Sequence, residues 1–211
     1  PGRIGTYDFA DVMFIWALCS SAFGLAHIVF GNQGRLTQLI LQGELDVFLL
    51  QPKALLLNVL CARSRFSAWG DFFYGFALFG IVHKPGGADW ALFVWFIVLG
   101  AILITAISVA AHAATFYFGN ATVIGSMIME FVINFSIYPL GIYRGVIRVL
   151  LFTLIPAGFA VHVPLSILRS FSPGLLLGQF AFVAAYTVFA CWFFNRGLRR
   201  YASGNLITTR L

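Results

Sequence analysis

Few residues in this 211-residue sequence could do chemistry, and their spacing keeps them apart. The four histidines, His27, His83, His112 and His162, stand singly. His112 has no carboxylate and no second histidine at helical spacing, so a metal site there would need ligands from elsewhere in the chain. Cys19, Cys61 and Cys191 form no CxxC and no His-Cys cluster, and they read as small apolar fillers in helices. No GxSxG, HExxH or Walker sequence occurs, so nothing here is expected to cleave ATP, and no catalytic residue or metal ligand is assigned. Ser20, Ser21 and the scattered threonines read as hydroxyls that pack helix on helix. The acids say more. Glu130 falls midway along an apolar run, where an acidic residue costs about 3 kcal/mol to insert into a bilayer. It either lines a polar pathway or makes a buried structural hydrogen bond to a neighbouring helix or partner subunit. Asp71, near the start of another apolar run, suits a depth close to the headgroups. Both carboxylates are expected to face protein or a polar cavity rather than acyl chains.

The composition explains why such positions lie in a membrane. Hydrophobic residues make up 61% of the chain and charged residues 9%, against about 25% in soluble domains. A soluble fold of this size could not hide so much apolar surface. The net charge of +6 comes from basic residues scattered in short connections, which suits anionic headgroups and not nucleic acid.

Charge-free runs locate the spans. Residues 12–34 would reach about 35 Å as a helix, enough to cross the hydrocarbon core. The run 90–129 is long enough for two spans, joined at Gly119 and Asn120, whose residue types tolerate a reversal. Spans are expected at 12–30, 66–83, 91–117, 121–138 and 173–194, with an interfacial helix at 54–65. Arg196, Arg199 and Arg200 suit a cytoplasmic exit after the last span. The stretch 141–168 is apolar and long enough to cross, but Pro156 and Gly158 break it. Its two halves would reach about 10–15 Å each, so it reads as a re-entrant hairpin that enters and leaves on one side. Positive-inside counting does not decide the matter, because either topology divides the 13 basic residues eight to five.

The connection 31–53, GNQGRLTQLILQGELDVFLLQPK, is the most informative segment. Residues 35–41 form an amphipathic turn with Leu36, Leu39 and Ile40 on one face. Gly43 permits a bend, Glu44 and Asp46 add acid, and Leu45, Phe48, Leu49 and Leu50 are expected to bury an apolar face until Pro52. This could be a plain interfacial helix or a docking surface for another protein.

The pattern IxxGELDxxLLxP at 40–52 resembles the signature of a bacterial ABC type-2 permease family. FSAWGD at 66–71, ATFYF at 114–118, the segment 138–164 beginning YPLGIYRG, and GLRRYASG at 197–204 resemble further family stretches in the same order. The resemblance implies that 31–53 is a cytoplasmic coupling-helix connection seated in a groove of an ATPase subunit, through Gln42, Gly43, Glu44, Leu45, Asp46 and Pro52. Where the family often has Arg, this chain has Gln51. It also implies a re-entrant outer-side hairpin at 141–168, with Tyr138, Pro139, Tyr143, Pro156 and Gly158 as its marking residues. The family pattern has one more helix ahead of Ile4, and this sequence opens at Pro1 without methionine.

The fold expected is therefore an all-α integral membrane protein, a polytopic helical bundle. It should form one transmembrane domain over 1–211, with five spans here and six in a full chain. The function expected is the permease subunit of an ABC transporter in the bacterial cytoplasmic (inner) membrane, an exporter by resemblance. It would partner with ABC ATPase subunits, a second permease subunit and membrane lipids, and would bind no cofactor itself, since ATP and Mg belong to the ATPase. A secondary transporter or channel would be expected to show paired broken helices. A membrane-embedded lipid-modifying enzyme would need Glu130, His112 or His162 converging at one depth.

Overall fold

The computed structural model describes residues 7–143, 145, 152–153 and 156–201, and among these no β-strand occurs. Helix α1 (Phe9–Val29) starts where the Asp11 carboxylate accepts the Asp8 amide at 2.7 Å, a reciprocal cap for otherwise orphaned donors. Short helices follow: α2 (Leu36–Leu41), α3 (Leu45–Leu49) and α4 (Leu55–Cys61). Helix α5 (Ala68–His83) stops at Lys84, whose φ of 46° turns the chain into Pro85. Helix α6 (Gly87–Ala113) runs on almost directly into α7 (Thr115–Phe118). Gly119, with φ 79°, reverses the chain, and Asn120 Oδ1 accepts the Thr122 amide at 3.0 Å to open α8 (Thr122–Ile137). A π-helical turn, Gly158–His162, leads into α9 (Val163–Arg169), and α10 (Pro173–Leu198) closes the bundle.

A helix lies at each expected span position. Three are long and apolar enough to cross a membrane: Phe9–Val29, Gly87–Phe118 and Pro173–Leu198. Helices α5 and α8, at 16 residues each, reach about 24 Å, short of a core of about 30 Å. In α5 the shortfall lies at its start, where residues 66–67 make a turn and not the first helical residues. The interfacial helix expected at 54–65 is confined to α4.

Helix α6 is the central post, buried along most of its length and packed on α1, α8 and α10. Small residues let α1 and α5 approach closely. A Cβ on Gly24 would strike the Phe72 backbone, and one on Gly75 would strike the Ala17 carbonyl. Ser20 Oγ donates to the Asp71 carbonyl at 2.8 Å and Ser21 Oγ to that of Phe72 at 3.0 Å, so these hydroxyls do join helix to helix.

Contacts sort the bundle into two ends. At one, the start of α1 meets the last turn of α9 through an Asp11–Arg169 ion pair, and Trp16 Nε1 donates to the Ile137 carbonyl at 3.0 Å. The segment that follows α8 thus starts and finishes near the same end of α1. Pro156 stands just ahead of the π-helical turn, and the absence of a Cβ on Gly158 makes room for the Phe152 ring. Residues 144, 146–151 and 154–155, the middle of the expected hairpin, lie outside the described residues. At the other end sit α2, α3, α4 and the last turn of α10, around a second apolar cluster of Leu36, Leu39, Leu45, Val59, Leu60 and Phe194.

Candidate coupling connection and polar cavities

The connection between α1 and α5 is a built structure. A Cβ on Gly31 would strike the Arg63 carbonyl, so the chain passes tightly there. The Asn32 amide donates to the Leu60 carbonyl at 3.3 Å, Asn32 Nδ2 to the Val59 carbonyl at 3.0 Å, and the Arg65 amide to the His27 carbonyl at 3.1 Å. After a 3-10 turn at Gln33–Arg35, α2 buries Leu36, Leu39 and Ile40, the amphipathic face that the sequence specified.

The same face carries Thr37. Its Oγ1 lies 2.9 Å from His112 Nδ1 and 2.9 Å from Thr115 Oγ1, all three residues being buried. A three-member polar network thus fastens α2 to the end of α6 and to α7. In a low-dielectric setting such a network holds its members in one arrangement, because an unpaired member is costly. Gly125 of α8 packs on the His112 ring, where a Cβ would collide with it.

Gly43 has φ 76° and separates α2 from α3, the bend expected of it. Gln42 and Glu44 are exposed beside it and Asp46 is half-buried. Leu45 differs from its neighbours: fully buried, it anchors α3 in the second apolar cluster and offers nothing outward. Leu49 and Leu50, expected to be buried with it, point outward because the helix turns them away from the cluster, and with Leu41 and Val47 they form an apolar surface, Leu50 being 87% exposed. Pro52 is exposed after it, and Gln51 is engaged within the chain, its Oε1 accepting Asn58 Nδ2 at 2.6 Å. Tyr201, just past α10, faces Asp46; burial, and then the nearby carboxylate, push its phenol up to about 12. Arg200 lies over the Tyr117 ring, 4.6 Å from its centroid, and fixes the chain after α10 against α7.

Glu130, on α8, is exposed. It lines a cavity of about 280 Å³ together with His27, Gln33, Arg65, Ser108 and His112. Both side-chain atoms of Gln33 and the Ser108 hydroxyl are buried without a partner among the described residues, so this cavity has polar walls. Asp71 lines another cavity, of about 230 Å³, with Trp16, Cys19, Ser20 and Tyr74. Phe23 and Ile133 border both cavities, so the two acids are neighbours across a wall and do not share a site. Among the hairpin markers, Pro139 and Pro156 are buried and Tyr138 is exposed. Tyr143 Oη donates to the Asn134 carbonyl at 3.5 Å. Among the described residues no three His, Cys, Asp or Glu side chains gather as metal ligands.

Sequence reasoning did not find the Thr37–His112–Thr115 network, the unpartnered Gln33 or the Asp11–Arg169 pair. A signal was present for the first: Thr37 follows Leu36 on the apolar face of α2, and His112 and Thr115 are one helical turn apart.

A helical bundle with a structured connection between its first long helix and the next, and with three helices of membrane-crossing length, defines a multi-pass membrane protein. Residues 2–204 match the profile of the ABC-2 family transporter protein, and the chain belongs to that family. It is a permease-type transmembrane component of an ABC transporter, a family that works with an ABC ATPase partner. Comparison with curated proteins and with solved structures gives no match.

Proposed function

We propose that this chain is the non-catalytic permease subunit of an ABC exporter, and that 31–53 is its coupling connection to a separate ATPase. The observation that carries this reading is the continuity from tip to post. Exposed Leu41, Val47 and Leu50 lie beside Gln42 and Glu44 at the tip, and the Thr37–His112–Thr115 network ties the connection to α6. An exposed apolar patch with a polar rim suits a protein partner. Movement of that partner would be transmitted to α6 through a buried, hydrogen-bonded joint and not through a slack loop.

In this reading the connection end faces the cytoplasm of a bacterial cell. The chain makes five passes, and 141–168 re-enters from the outer side without crossing. Supporting this, both Ile137 and Arg169 contact the first turns of α1, and 158–169 is covered by α1, α6, α8 and α10. ATP and Mg bind to the ATPase and no cofactor binds here. A second permease subunit covers part of the apolar surface that α10 leaves open, and lipid covers the rest. Glu130 lines a cavity with polar groups in its wall, and Asp71 a mainly apolar one, along the pathway between the two permeases.

The test is co-purification of the ATPase with the permease, and ATP hydrolysis by the complex. Val47→Asp with Leu50→Asp should remove ATPase binding while leaving insertion intact, because neither side chain is in the core. Undiminished binding and turnover would place the contact elsewhere.

A further inference from the structure

At the root of the connection lies a feature that the coupling reading does not use. Arg35, Arg63 and Arg65, with Ser64 and Ser67, surround an open basin of about 560 Å³. The three arginines come from two separate segments, and the Asn32–Leu60, Asn32–Val59 and Arg65–His27 hydrogen bonds, together with the close pass at Gly31, hold those segments side by side. Their positions are therefore set by backbone, not by chance meeting of long side chains. None of the residues lining the basin is acidic; Arg65 also borders the Glu130 cavity, and Asp71 lines the separate cavity against Trp16 and Ser20. Phe66 stands at the lip, 90% exposed, and Trp69 and Phe73 follow on the open face of α5.

Guanidinium groups match the oxygens of a phosphate with paired, charge-assisted hydrogen bonds, and serine hydroxyls can add donors. An exposed phenylalanine at the rim, continued by two aromatics along a membrane helix, suits acyl chains and the interfacial belt, and gives a free anion nothing to bind. We propose that this basin binds the phosphate group of an anionic phospholipid from the cytoplasmic leaflet, with Phe66 against its acyl chains. The site rests on the orientation given above, in which the connection end is cytoplasmic. The bound lipid would sit beside the coupling connection and brace the 31–35 and 63–67 segments against each other.

The test uses the full-length permease assembled with its ATPase in detergent, and fluorescent phosphatidylglycerol and phosphatidylcholine as probes. The wild-type complex should bind phosphatidylglycerol at least about tenfold more tightly than phosphatidylcholine. Arg63→Gln with Arg65→Gln should weaken phosphatidylglycerol binding about 25-fold, at roughly fivefold per charge, and leave phosphatidylcholine binding unchanged. If that double variant does not assemble, Arg35→Gln alone should lose about fivefold. Arg196→Gln with Arg199→Gln, exposed at the same end but outside the basin, serves as the control for general surface charge. Equal losses in the basin and control variants would overturn the site. Full displacement of phosphatidylglycerol by millimolar inorganic phosphate would overturn the lipid assignment in favour of a free-phosphate site. Retention of the ATPase, read in the same preparations, keeps failure of this site distinguishable from failure of the coupling reading.

Discussion

Replacing Thr37 with valine keeps the shape of the side chain and removes one oxygen. That oxygen makes two contacts of 2.9 Å, to His112 Nδ1 and Thr115 Oγ1, and all three residues are buried. A net hydrogen bond is worth about 1 kcal/mol, but a buried partner left unsatisfied costs about 1–3 kcal/mol. The imidazole is the α6 side of the polar contact with α2, and Gly125 packed on its ring leaves it little room to turn towards another acceptor. Thr37→Val should therefore destabilise the permease by about 2–4 kcal/mol. Thr37→Ser keeps the hydroxyl, loses one methyl and should cost about 1 kcal/mol. Stability is measured by unfolding in mixed micelles, and coupling by the ratio of transport to ATP hydrolysis in reconstituted vesicles. The valine variant should keep its ATPase, since the docking tip is untouched, yet transport less per ATP than the serine variant. Equal stability and equal coupling in the two variants would show that the network neither braces the connection nor transmits its movement.

Gly43→Pro should abolish the bend between α2 and α3, because proline fixes φ near −65° and the native value is 76°; Gly43→Ala should cost about 1 kcal/mol, and both are read by ATPase co-purification. The Tyr201 phenol, raised to about 12 from an ordinary value near 10, favours the folded state fully below pH of about 10, and that contribution disappears as pH rises through about 12. The alkaline fall in thermal stability should thus be shallower in Tyr201→Phe, and a scan in which wild type and variant fall together would contradict the burial that raises the phenol. A double-mutant cycle on Asp11→Asn and Arg169→Gln should return about 0.5–1 kcal/mol of coupling, since Arg169 is partly exposed. Zero coupling would remove this tie between α1 and α9.

Much of the fold was legible in one dimension because a bilayer imposes a one-dimensional rule. A helix that crosses must be apolar over its length, so charge-free runs located α1, α6, α10 and the first half of α8, and the Gly119-Asn120 pair located the reversal. The bend at Gly43 and the buried face of α2 were legible for similar local reasons: residue type limits φ, and helical period assigns a face. Other features depend on how helices are rotated and set against one another. Thr37 and His112 are 75 residues apart, and only the packing of α2 on α6 brings hydroxyl and imidazole together. The same packing sends Leu45 into the apolar cluster and Val47, two residues later, into the open, although both belong to one short helix. Arg35, Arg63 and Arg65 read as scattered basic residues until the backbone bonds of Asn32 and Arg65 lay one segment against the other. The sequence determined which segments are apolar helices, because that depends on each segment's own residues. Only the tertiary structure decided which polar groups meet, because that depends on the relative rotation of helices, which no single segment encodes.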